Sequence, residues 1–176
     1  GRWVKDGAFP LSLLTLRGRS VGLYGLGRIG LAIARRLEAF GVSIAYHTRS
    51  RRDDVEYTHY PTLKALAEAV DTLVVIVPGT ESTRATVNGE VLSALGKNGV
   101  LINVGRGSTV DEHDLIAALQ NGVIAAAGLD VFENEPAVNP KLLKLAAEGR
   151  VVLLHHMSSA TLEGRIDMGE KVIINI

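Results

Sequence analysis

The sequence predicts an α/β fold, a doubly wound parallel sheet in three α/β/α layers. Three observations carry this expectation. Short apolar runs recur along the chain and are near-continuously apolar, as in strands covered on both faces. Amphipathic helical stretches separate them, so right-handed crossovers follow. A glycine-rich turn joins the first run to the first helix.

The expected strands are 20–24, 43–46, 72–77, 100–104, 123–127 and 151–154. The first helix, 28–40, carries Ile29, Ile33, Leu37 and Phe40 at spacings 4, 4 and 3, which places them on one face. Arg28, Arg35, Arg36 and Glu38 fall off that face, and Gly41 is placed to stop the helix. A later helix starts on Asp111, buries Leu115, Ile116 and Leu119, and ends before Asn121-Gly122. Residues 1–17, with Trp3 and Phe9, show no period and read as an arm or linker.

Composition narrows the function classes. With 176 residues, 47% hydrophobic and 22% charged, the chain suits one packed domain over residues 1–176 and is too short for two. Nineteen basic residues balance nineteen acidic ones, so no global field favours nucleic acid or an anionic membrane. The lack of cysteine excludes a disulfide framework, a thiolate zinc site and a cysteine nucleophile, and no metal site is expected. The apolar run 73–78 is far short of a membrane span. The chain does not begin with Met, and residues 1–10 lack the apolar core of a signal peptide, so it reads as part of a longer protein. Lack of cysteine and of a signal fits a cytoplasmic location.

The turn Gly25-Leu26-Gly27-Arg28-Ile29-Gly30 is a G-x-G-x-x-G between a strand and a helix, the context that gives the motif its meaning. Gly25 allows the tight turn, Gly27 lets backbone approach a pyrophosphate, and Gly30 lets the helix pack close to the strand. The diphosphate then sits on the helix N-terminus, where free N–H groups favour anions. The fold expectation thus sharpens to a Rossmann-type dinucleotide-binding domain.

The second strand tip bears on the coenzyme. An NAD site places an acid about 20 residues on from the glycines, against the ribose hydroxyls. Here the strand runs into His47-Thr48-Arg49-Ser50-Arg51-Arg52, and Asp53 and Asp54 come only later. Arg49 with the hydroxyls of Thr48 and Ser50 suits a 2′-phosphate. NADP(H) is therefore favoured, with NAD(H) the alternative if Asp53 folds back to the ribose.

Catalysis in open parallel sheets occurs beyond the carboxyl ends of the strands. Ionisable residues follow three expected strands there: Arg106 between Gly105 and Gly107, Asp130 with Glu133 and Glu135, and His155-His156. Each has a bland reading as loop cation, turn cap or structural histidine. Their joint placement on one edge favours an active site.

The glycine turn, Asn103-Val104-Gly105-Arg106-Gly107, the stretch from Gly128 through Asp130 and Glu135 to Pro136, and the stretch from His156 to Thr161 resemble, in order and spacing, the D-2-hydroxyacid dehydrogenases. The tip 46–50 resembles the NADPH-preferring glyoxylate/hydroxypyruvate reductase branch. The resemblance covers nearly the whole chain. It implies that Arg106 binds the substrate carboxylate and polarises the carbonyl, that Glu135 partners His156, and that Asp130 holds the nicotinamide carboxamide. Coenzyme contacts implied at the glycine turn are Gly25, Gly27, Arg28, Ile29 and Gly30. At the tip they are Thr48, Arg49 and Ser50. Val77, Pro78 and Thr83 follow in the next loop, with Pro78 flanking the adenosine. Val104, Gly105, Arg106, Asp130, His156 and Ser158 complete the set. Ser158 stands where the family usually has Gly, and His155 where it often has Pro.

The implied chemistry is reduction of a small 2-oxo acid. It needs a hydride and a proton donor for the carbonyl oxygen, and histidine is the natural donor at neutral pH. A carboxylate beside it favours the imidazolium. An arginine grips a carboxylate with two prongs. The family has a second, substrate-binding domain built from both chain ends. Residues 1–17 then correspond to the linker and dimer arm, and 163–176 to the start of the helix returning to that domain. The resemblance thus implies a homodimer and an isolated chain that binds coenzyme but turns over slowly or not at all. Alternatives are an NAD(H)-sensing co-repressor-type binding module of the same fold, and an S-adenosylhomocysteine hydrolase or methyltransferase. The missing acid at the tip argues against the first, and the order Arg106, Glu135, His156 against the others.

Overall fold

A computed structural model describes Gly7 and residues 15–174. Trp3, Phe9 and residues 175–176 lie outside the described residues, as does most of the expected arm. Seven parallel strands form one sheet in the order β3-β2-β1-β4-β5-β6-β7. They are β1 (Ser20–Tyr24), β2 (Ser43–His47), β3 (Thr58–His59), β4 (Thr72–Val75), β5 (Val100–Asn103), β6 (Ala126–Leu129) and β7 (Val151–Leu153). The helices are α1 (Arg28–Glu38), α2 (Leu63–Ala69), α3 (Gly89–Leu95), α4 (Glu112–Gln120), α5 (Pro140–Ala147) and α6 (Leu162–Ile174).

The core has two parts, one on each face of the sheet. Leu66, Leu92, Leu115, Leu119 and Leu142 of α2 to α5 pack with Leu73, Val75 and Leu101 of the sheet. Ala34 of α1 packs with Val21, Leu23, Tyr46 and Val74 on the other side. The expected burial of Leu115, Ile116 and Leu119 holds, and Asp111 caps α4 by accepting the N–H of Asp114. Gly41 has φ +67° and donates its N–H to the Glu38 carbonyl, as a helix stop should. No residue of α6 is buried.

The structure corrects two expectations. The apolar face of α1 holds in part: Ile33 and Leu37 pack against the core, while Ile29 is 65% exposed and Phe40, beyond the end of the helix at Glu38, is 59% exposed; Gly30 and Ala34 are buried. A Cβ on Gly30 would sit 2.4 Å from the Gly25 carbonyl oxygen, so helix and turn touch at the glycine. The sixth strand is shifted from 123–127 to Ala126–Leu129. Val123 donates its N–H to the Ala118 carbonyl and finishes α4, and Val100 pairs with Ala126. Pairing with a neighbour outweighs the β-branched preference of Val123 and Ile124. Strand β3 and helices α2, α3 and α5 were not individually expected.

Candidate active site at the carboxyl edge of the sheet

All seven strands are parallel, so Gly25, Thr48, Ile76, Val104, Asp130 and Leu154 follow strands that end on one edge. β1 lies between β2 and β4, and the connections diverge there, which opens a crevice. A groove of about 1000 Å³ occupies it, lined by the glycine turn, the β2 tip and residues 76–88.

The glycine turn is built as its sequence implies. Gly25 has φ +103°, a conformation that side chains rarely adopt, and its position for a Cβ lies 3.2 Å from the Ile76 carbonyl carbon. A Cβ at Gly27 would meet nothing within 4 Å, so open space lies over the middle glycine. Helices α2 to α5 are each capped by a side chain: Thr62, Asn88, Asp111 and Asn139. The start of α1 has no side-chain cap and no acid in its first turn. Its free N–H groups suit an anion, so the cradle fits a dinucleotide diphosphate.

Gly25, Gly27, Thr48, Arg49, Ser50, Val77, Pro78 and Thr83 of the expected set line this groove. Arg28, Ile29, Gly30, Val104, Gly105, Arg106, Asp130, His156 and Ser158 do not; they belong to α1 and to the neighbouring strand ends. Arg49 is exposed and has no hydrogen bond or ion pair among the described residues. Thr48 donates its hydroxyl to the Ser50 carbonyl. Arg52 behaves differently. Its guanidinium donates to the Leu26 carbonyl in the glycine turn and pairs with both oxygens of Asp54. This fastens the tip to the turn and occupies the later acid. The sequence shows a basic run, and only geometry separates Arg52, the clamp, from Arg49, the free cation. Tyr24, His47 and Thr86 also line the groove and were missed. Their signal was too ordinary to stand out.

Further along the edge, three loops meet. His156 Nδ1 lies 2.7 Å from Glu135 Oε2. The other Glu135 oxygen accepts the Phe132 N–H at 2.9 Å. Burial pushes the Glu135 carboxyl up, but bonds from His156 and Phe132 and the charges of His156 and Arg106 outweigh it and hold the group below its ordinary range. Arg106 thus acts on the same carboxylate as His156. Its backbone carbonyl is gripped by Asn103 at 3.0 Å and Thr109 at 2.6 Å, and its side chain is exposed. Gly107 is required for the approach: a Cβ there would fall 1.9 Å from the Phe132 carbonyl atoms.

Asp130 is 4% exposed, and its two oxygens accept the N–H groups of Met157 and Ser158 at 2.9 and 3.1 Å. Burial raises its pKa, and the bonds from Ser158 and Met157 with the His156 charge outweigh this and leave it lowered. The carboxylate therefore ties down the segment that carries His156. His156 itself has φ +55°, a strained conformation for a residue with a Cβ, of the kind found at functional sites. His155 is exposed.

No described helix is long and apolar enough to cross a membrane. The family described as "D-isomer specific 2-hydroxyacid dehydrogenase, NAD binding domain" matches residues 1–158. The chain is 49% identical to glyoxylate/hydroxypyruvate reductase A HPR2 of Arabidopsis thaliana over 176 residues, all of this chain and 55% of that protein. It is 48% identical to hydroxyphenylpyruvate reductase of Plectranthus scutellarioides over the same span, again 55% of that protein. The NADPH-dependent glyoxylate/hydroxypyruvate reductase of Sinorhizobium meliloti, solved with NADP and malonate, is 68% identical with a TM-score of 0.89, over 94% of this chain and 51% of that one. The chain thus spans about half the length of these relatives. A Rossmann-type sheet, a glycine cradle and a match over residues 1–158 place the chain in the D-isomer specific 2-hydroxyacid dehydrogenase family, as its NAD-binding domain.

Proposed function

We propose that this chain is the coenzyme domain of an NADP(H)-dependent reductase that converts a small 2-oxo acid, such as glyoxylate or hydroxypyruvate, to the D-2-hydroxy acid. The observation that carries the reading is the 2.7 Å contact of His156 with Glu135, on the edge that also bears Arg106 and the glycine cradle.

Gly25, Gly27 and the uncapped start of α1 would hold the diphosphate, and Arg49 with Ser50 the 2′-phosphate. When bound, the reduced nicotinamide supplies the hydride. Arg106, an exposed residue with its backbone pinned and one guanidinium nitrogen donating to the Gly105 carbonyl, is placed to take the substrate carboxylate and orient the carbonyl. Glu135 engages Nδ1 of His156, which leaves Nε2 to give its proton to the carbonyl oxygen. Hydride reaches the carbonyl carbon, proton reaches the oxygen, and a 2-hydroxy acid results. Asp130 fixes the backbone on which His156 rides.

For NADP(H), the support is Arg49, unpaired and lining the groove, while Asp53, the acid the NAD(H) alternative needs, is not among the lining residues. The NADP complex of the Sinorhizobium meliloti reductase agrees with this. The co-repressor-type NAD(H) module is disfavoured on the same ground. The reading assigns the substrate-side loops to a second domain outside this chain, which spans about half the length of its relatives, so the chain alone is expected to bind coenzyme with little turnover. The reading includes a homodimer formed through this domain, and light scattering should return twice the chain mass of 18.8 kDa. The test is NADPH oxidation by the full-length protein with glyoxylate and hydroxypyruvate, repeated with Arg49→Asp. The reading expects turnover and a reversal of the NADPH preference. An unchanged preference defeats the coenzyme assignment, and no oxidation of NADPH with either acid defeats the substrate assignment.

A further inference from the structure

Resting on the NADP(H) reading, we propose that His59 is a specificity-positioning residue. It lies outside the groove and shapes the loop Thr48–Ser50 for a 2′-phosphate. β3 is only two residues long, and His59 is registered beside Tyr46 of β2. Its ring belongs to a row that crosses three strands at their carboxyl ends. Tyr24 of β1 stacks on His47 of β2 at 5.6 Å and 26°, and His47 on His59 at 6.4 Å and 21°. Tyr46 closes on His59 at 5.0 Å.

Hydrogen bonds fix both imidazoles. His47 Nδ1 lies 2.9 Å from the Tyr60 carbonyl oxygen, and His59 Nε2 lies 3.2 Å from the Thr48 carbonyl oxygen. A carbonyl oxygen only accepts, so each of these ring nitrogens carries the proton and donates. The backbone of His47 also accepts the Gly25 N–H at 3.0 Å. The row therefore links the glycine turn, the tip and β3.

The consequence concerns charge. A carbonyl oxygen turned toward a phosphate repels it. His59 does not line the groove, and it draws the Thr48 carbonyl to its own side. The Thr48 hydroxyl is spent on the Ser50 carbonyl, so Arg49 is the unpaired cation of the tip that lines the groove. NADH has no 2′-phosphate and should not feel this arrangement. His59 thus acts on coenzyme choice through Thr48, without touching coenzyme.

The test is fluorescence titration of the 176-residue chain with NADPH and with NADH. His59→Phe keeps an aromatic ring and loses the donor; His59→Gln places an amide donor near Nε2. His59→Phe should raise the NADPH dissociation constant about fivefold, the worth of one hydrogen bond, with NADH nearly unchanged. His59→Gln should retain most of the preference. Binding of NADH reports that each variant is folded, and His59→Leu carries the same prediction should His59→Phe fail that control. A wild-type chain with no NADPH preference overturns this inference together with the coenzyme reading. A preferring wild type whose preference survives in the Phe or Leu variant overturns this inference alone. Equal losses in the Phe and Gln variants also overturn it, because ring packing and not the donated bond would then matter.

Discussion

His156 and Glu135 lie in loops that follow different strands, β7 and β6, and meet with Nδ1 2.7 Å from Oε2. Their side chains are 43% and 33% exposed, so the pair is open to solvent. Such a contact adds little to stability when solvent is near. Its placement is better explained by chemistry than by folding.

Replacing His156 with alanine in the full-length protein should therefore lower kcat about 10²- to 10⁴-fold, the usual worth of a general acid. The NADPH dissociation constant should change little. Steady-state rates and coenzyme titration check this, and equal losses in both would give His156 a structural role only.

Three glycines predict three different defects. Gly30→Ala would push a Cβ onto the Gly25 carbonyl oxygen, 2.4 Å away. Overpacking of this kind costs about 2 kcal/mol, or about 5 °C in Tm for a chain of this size. Gly27 has φ −78° and open space around its Cβ, so Gly27→Ala should melt like wild type yet bind NADPH at least about tenfold more weakly, by crowding the diphosphate. Gly107→Ala would drive the Arg106 and Phe132 loops apart and should abolish turnover with coenzyme binding largely kept. Thermal melts and titrations separate the three.

Arg52 and Arg49 stand three residues apart and should behave oppositely. Arg52 holds the Leu26 carbonyl, so Arg52→Ala should weaken NADPH and NADH binding by similar factors. Arg49→Asp should change their ratio. A ratio that moves equally in both variants would remove the distinction between clamp and specificity cation.

Asp130 carries the clearest pH dependence. Its folded pKa lies below the ordinary 3.8 despite burial, because the Ser158 and Met157 bonds favour the carboxylate. On acidification the unfolded chain therefore takes up this proton first. The stabilisation is complete above the ordinary value and is lost as pH falls through the folded one. Asp130→Asn, which sets an amide donor against backbone N–H groups, should cost about 2 kcal/mol near neutrality. Urea unfolding between pH 7 and pH 3 should show the gap to wild type closing at the acid end. A gap independent of pH would assign the effect to packing.

Sequence alone determined the sheet class, the glycine cradle and the three ionisable strand ends. Near-continuous apolar runs, a strand–glycine–helix junction and residues just past strand ends are local signals, each read within a few positions. Burial of Leu115, Ile116 and Leu119 followed from helical spacing in the same way. Tertiary structure decided what depends on distant partners. The close approach of Gly30 to Gly25 brought the small residues Gly30 and Ala34 of α1 against the sheet and left Ile29 facing outward, against its hydrophobicity. Pairing of Val100 with Ala126 moved β6 past its β-branched residues. Arg52 became a clamp and Arg49 a free cation because one reaches the Leu26 carbonyl, 26 positions away, and the other does not. His59 met Thr48 through a two-residue strand too short to leave a periodic trace. Periodicity reports which surface an element would bury, whereas its rotation and register are set by contacts between residues far apart in the chain.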